Sequence, residues 1–125
     1  METITVKSDV KGFFHNYLTM KKTYLEIVLS KIHGTKIVLS PKILSVFSLF
    51  LYYNYTNGIE AGVLWNKQIK TLIEKELEIS SPQLNTYISV MRKLKLFNDN
   101  HINKPFIVKP GSEFDLVFKF IINEE

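Results

Sequence analysis

Apolar residues recur three and four positions apart through the middle of this chain and at every second position near its end. That change of period predicts helices followed by strand. The clearest helix runs from Ser81 toward Phe97. At about 100° per residue, Leu84, Ile88, Met91 and Lys95 fall on one side with Tyr87 beside them, while Thr86, Ser89 and Lys93 fall opposite, flanked by Asn85. Ser81 is the expected N-cap and Pro82 the expected first helical residue, where a missing N–H costs nothing. Residues 79–98 contain no acidic side chain. The outer face of this helix is therefore small, polar and cationic, a chemistry that can approach a polyanion and offer hydroxyl and amide groups to base edges. An ordinary amphipathic helix with a solvated face has the same pattern.

Upstream, Ile69, Leu72, Ile73 and Leu77 share one face of a second helix whose N-cap is expected at Asn66, just after Trp65. Between the two helices lies the short turn Glu78-Ile79-Ser80, in which Ile79 can plug the corner. Residues 43–55 are apolar nearly all round and read as a buried helix that needs cover on several sides. Its start is marked by Ser40-Pro41 and its stop by Thr56-Asn57-Gly58. The cover comes from the N-terminal third, where Phe13, Phe14, Tyr17, Leu18, Leu25, Val28, Leu29 and Ile32 are spaced as in a helix that ends near His33-Gly34. A β-hairpin made of 24–32 and 36–39 competes with that reading, because the run is rich in β-branched residues. Residues 1–7 alternate and read as a short strand.

Beyond Phe97, Asn98-Asp99-Asn100-His101 is a turn-rich break. Two strands are expected after it, 105–109 and 114–122, joined through Pro110-Gly111. The second alternates strictly, with Phe114, Leu116, Phe118, Phe120 and Ile122 on one face.

A supporting helix, a turn with an apolar plug, a polar cap, a helix ending in basic residues and then a hairpin is the element order of winged helix-turn-helix DNA-binding domains, and the chain resembles that family over roughly residues 40–122. It is most similar to small phage-encoded winged-helix proteins. The turn lacks the usual small residue or glycine, whose place is taken by Glu78-Ile79-Ser80. The resemblance implies an α+β, mainly helical fold: a winged-helix domain over 40–125 with a C-terminal hairpin wing, and an N-terminal extension over 1–39 packing on the first long helix. It also implies a double-stranded DNA partner. In that reading Ser81, Gln83, Asn85, Thr86 and Ser89 approach the bases, while Arg92, Lys93 and the wing residue Lys109 hold phosphates. The implied role is a small regulator of transcription or replication. The competing role is a protein-interaction or virion structural module that keeps the fold without binding nucleic acid.

Composition narrows the remaining classes. A net charge of +4 and a pI of about 9.2 suit a polyanionic partner. Only Arg92 among the 16 basic residues is an arginine, so bidentate reading of guanine is confined to one side chain. With Cys absent, neither a disulfide framework nor a thiolate metal site is available. His15, His33 and His101 have no metal-ligand spacing, and no phosphate-binding glycine loop or nucleophile elbow occurs. No enzyme, metal or cofactor is therefore expected. The longest apolar run is shorter than the ~20 residues of a membrane span, and the first residues do not form a signal peptide, which points to the cytoplasm, or the host cytoplasm for a viral protein. Surplus apolar surface on 43–55, and Val117 and Ile121 on the last strand, make a homodimer or a protein partner an expectation.

Overall fold

The computed structural model describes residues 5, 7–56, 67–99 and 101–107. The described chain is mainly helical with a small antiparallel sheet, an α+β arrangement in the order α1 (Val10–His33), α2 (Pro41–Thr56), α3 (Lys67–Leu77), α4 (Ser81–Lys93), β1 (Phe97–Asn98) and β2 (His101–Ile102).

Of the two readings of the N-terminal third, the helix is the one observed. Asp9 caps α1 by accepting the Gly12 N–H on Oδ1 at 2.7 Å, and a Cβ on Gly12 would stand 2.9 Å from that same oxygen. The helix ends at Gly34, whose φ of 64° is the left-handed geometry that glycine adopts without a steric cost. Residues 36–39, the second strand of the rejected hairpin, run along α1 without pairing to it as a strand. Ser30 Oγ accepts the Ile37 N–H at 2.8 Å, and Glu26 Oε2 accepts the Leu39 N–H at 2.7 Å. Side chains of the helix thus satisfy backbone donors that a ladder would otherwise have taken.

Helix α2 starts at Pro41, with Ser40 Oγ accepting the Ile43 N–H at 3.2 Å. It is the centre of the fold. Ile43, Leu44, Val46, Phe47, Leu49, Phe50 and Leu51 are all buried. Helices α1, α3 and α4 pack against it, and Phe97 of β1 sets its ring edge-on to both Phe47 (5.7 Å) and Phe50 (5.2 Å). Much of the apolar surface of this helix is thus covered within the chain, while Tyr52 and Tyr53 stay half-buried and Tyr55 is exposed. In α3, Ile69 and Ile73 are buried as expected, whereas Leu72 is 44% exposed. Trp65, Asn66, residues 1–4 and the strand expected at 114–122 lie outside the described residues.

The C-terminal part departs from expectation in two places. Residues on the two sides of the expected break pair as short antiparallel strands, with Phe97 opposite Ile102 and Asn98 opposite His101. The strand expected from Pro105 begins as a 3-10 turn, Lys104–Phe106, closed by the Phe106 N–H on the Asn103 carbonyl at 2.9 Å. Pro105 has no N–H to give a ladder, so a turn costs it nothing.

Candidate nucleic-acid interface

Helices α3 and α4 pack on each other and meet through a tight turn. Glu78 holds the left-handed conformation there (φ 54°), and the Ile79 N–H reaches back to the Glu74 carbonyl at 3.0 Å. This is the bonding pattern of a Schellman helix end, with glutamate in the position that glycine usually fills. Ile79 packs against the core, as a plug at the corner should.

The cap of α4 is Ser80, one residue earlier than expected. Ser80 Oγ accepts the Gln83 N–H at 3.3 Å, and Gln83 Oε1 in return accepts the Ser80 N–H at 2.8 Å. The reason lies three residues on. Counted from Ser80, the reciprocating position is Gln83, which closes a capping box; counted from Ser81 it is Leu84, which is apolar and fully buried. Ser81 is therefore the first helical residue and Pro82 the second.

At its other end α4 stops at Lys93, and Lys95 is not on the buried face predicted for it. With φ 68°, Lys95 is exposed and turns the chain. The Leu96 N–H bonds to the Met91 carbonyl at 3.0 Å and the Lys95 N–H to the Arg92 carbonyl at 3.1 Å, a second Schellman end, with Leu96 and Met91 both buried in the core. The Asn103 amide Nδ2 donates to the Lys95 carbonyl, securing that corner to the strand β2 exit.

Leu84, Ile88 and Met91 face inward and are at most 3% exposed. Thr86, Ser89 and Lys93 lie on the opposite side with Asn85 at its edge, Ser81 and Arg92 flank the inner face next to Ile88, and all six are exposed. Asn85 Oδ1 accepts from Lys70 Nζ of α3 at 2.7 Å, which leaves the amide nitrogen as a donor and sets an ammonium group beside it. Thr86 Oγ1 donates to the Pro82 carbonyl at 3.0 Å and keeps its lone pairs as acceptors. Arg92 Nε donates to the Asp99 carbonyl at 3.2 Å, so its guanidinium is oriented by the residue that follows β1. Gln83, though exposed, has its side-chain carbonyl committed to the cap. Lys109 lies outside the described residues.

Six of the eight residues singled out from sequence are thus exposed on one helix, four of them on or at the edge of its outer side, Gln83 serves the helix start, and Lys70 reaches Asn85 from α3. Lys70 has no periodic signal of its own. Only the packing of the two helices reveals it, because its partner is 15 positions away. Among the described residues no cluster of three His, Cys, Asp or Glu side chains could hold a metal ion, and no helix is long and apolar enough to cross a membrane. The chain matches no family model, no curated protein and no solved structure with which it was compared.

Proposed function

We propose that this chain is a DNA-binding protein of the winged-helix type, a small and phage-like regulator of transcription or replication, with α4 as its recognition helix. The observation that carries this reading is the outer face of α4, where Asn85, Thr86, Ser89 and Lys93 stand exposed on an acid-free helix beside Lys70 and Arg92. An α-helix fits the major groove, and Asn, Ser and Thr are suited to base edges there. Asn85 reads a base through its amide nitrogen, with Thr86 and Ser89 adding hydroxyls. Lys70, Arg92 and Lys93 neutralise phosphates along the rims and fix the register of the helix. The rigid α3–α4 corner and the capping box hold the helix axis, so that the contacts are set before DNA arrives.

A second reading, a protein-interaction or virion structural module, is favoured by the modest net charge of +4 and by the engagement of the single arginine with the Asp99 carbonyl. A mobility-shift assay with random and genomic duplexes at two salt concentrations separates the two. DNA binding through phosphates weakens steeply as salt rises. A folded chain that shifts no duplex even at the lower salt overturns the DNA reading.

A further inference from the structure

Helix α1 presents a second surface on its outward side. Met20 (44% exposed), Tyr24 (52%) and Ile27 (52%) lie on one stripe that Lys31 continues, and Ile32, about 100° further round the helix, is 57% exposed. Tyr24 and Ile32 also line a groove of about 350 Å³, completed by Pro105 and Phe106 from the end of the described chain. The charged residues in that lining are Lys21 and Lys95. Lys21 is held in place, its Nζ donating to the Tyr17 hydroxyl at 2.9 Å and lying about 5 Å from the rings of Tyr17 and Tyr24. Among the described residues, none of Lys21, Lys31 and Lys95 meets a carboxylate at ion-pair distance. The one acidic residue of α1, Glu26, has its carboxylate turned to the Leu39 N–H and Lys22.

A surface of this kind is apolar along its length and cationic at its margins. Nucleic acid would leave Met20, Ile27 and Ile32 without apolar partners. A second copy of the chain is disfavoured too, because two α1 helices crossing antiparallel about Glu26 set Lys21 of each against Lys31 of the other, and parallel pairing sets like against like. An amphipathic helix with apolar residues at i, i+3 and i+7 and carboxylates on its flanks satisfies both features. We propose that this face of α1 docks an acidic amphipathic helix of a partner protein, its apolar residues seated along Met20, Tyr24 and Ile27 and its carboxylates on Lys21 and Lys31. The proposal is independent of the DNA reading of α4.

The test is a chemical-shift titration of the full chain, isotopically labelled, with a short synthetic amphipathic peptide carrying leucines on one face and glutamates on the other. A control peptide keeps the leucines and replaces the glutamates with lysines. The glutamate peptide should shift Met20, Tyr24 and Ile27, and the lysine peptide should not. Affinity should fall about tenfold with Ile27→Asp and again with Lys31→Glu; both positions are exposed, so the fold should survive, with circular dichroism as the check. Four outcomes overturn the proposal: no shifts at about millimolar peptide; equal binding of both peptides; self-association of the chain alone that Ile27→Asp abolishes; or nuclear Overhauser contacts in the free chain between its own acidic segment 113–125 and Tyr24 or Ile27.

Discussion

The imidazole Nε2 of His33 lies 3.0 Å from the carbonyl oxygen of Leu94, so the last turn of α1 is hydrogen-bonded to the C-cap of α4 across 61 positions of sequence. Carbonyls at a helix end have no partner within the helix, and here a side chain from another helix supplies one. His33→Ala should lower stability by about 1 kcal/mol in urea denaturation, and His33→Gln, which keeps a donor of similar reach, should recover part of it. Equal stability of wild type and His33→Ala would show that water serves Leu94 as well.

Ser80 and Ser81 are chemically identical neighbours with different duties. Ser80→Ala should cost about 1 kcal/mol, the usual effect of losing an N-cap, while Ser81→Ala should be close to neutral. The same denaturation experiment reads both. A larger loss at Ser81 would return the cap to that residue.

Glu78 and Lys95 occupy left-handed backbone at the ends of α3 and α4. An L-residue with a Cβ pays roughly 1–2 kcal/mol in that conformation, part of which glycine gives back through its freedom in the unfolded chain. Glu78→Gly and Lys95→Gly should each raise stability by about 0.5–1 kcal/mol. A loss of stability at either position would mean that its side chain makes a contact worth more than the strain.

The two faces of α4 should separate cleanly. Leu84→Ala and Ile88→Ala should cost about 2–5 kcal/mol each as buried large-to-small changes. Ser89→Ala and Lys93→Ala should leave stability within about 0.5 kcal/mol while weakening DNA binding, and Lys93→Ala should also flatten its salt dependence. Arg92→Ala should weaken binding with a modest stability loss, because it also gives up the Asp99 carbonyl. Unchanged affinity in a folded Lys93→Ala, Arg92→Ala double variant would sink direct contact by this face.

Tyr53 holds its phenolic proton more tightly than an ordinary tyrosine, first because burial disfavours the phenolate and then because Tyr52 lies beside it. A raised value in the folded state means that this group's contribution is fully present below the usual tyrosine range, around pH 10, and is lost as pH climbs through it toward the folded value. Tyr53→Phe should therefore make the alkaline limb of the stability curve shallower. A limb as steep as that of the wild type would assign alkaline unfolding to other groups.

Much of this architecture could be read from side-chain spacing. Leu84, Ile88 and Met91 announce a buried helix face, and the chemistry of the opposite face follows directly. What escaped was decided by contacts between elements or by backbone geometry. Lys95 continues the 100° rotation on paper, yet the chain leaves the helix before reaching it, and no glycine marks the turn. The N-terminal third, by contrast, is helical as its spacing indicates: Val28 and Ile32 favour strand by local preference, but caps at Asp9 and Gly34 and the bonds from Ser30 and Glu26 to the following loop stabilise helix over the whole segment. Pro105 opens the strand-like run as a 3-10 turn, since it lacks the N–H that a ladder would use. Lys70 acquires its place beside Asn85 only when α3 and α4 meet.

The edge-on placement of Phe97 against Phe47 and Phe50 gives the molecule a built-in spectroscopic reporter. Protons directed at the face of a neighbouring ring sit in its shielding cone, so some aromatic signals of this trio should lie well upfield of the usual range. Their position tracks the seating of the chain after α4 upon α2, at any temperature or denaturant concentration and without a label. Loss of those signals before the helical circular dichroism fades would identify undocking of this end as the first step of unfolding.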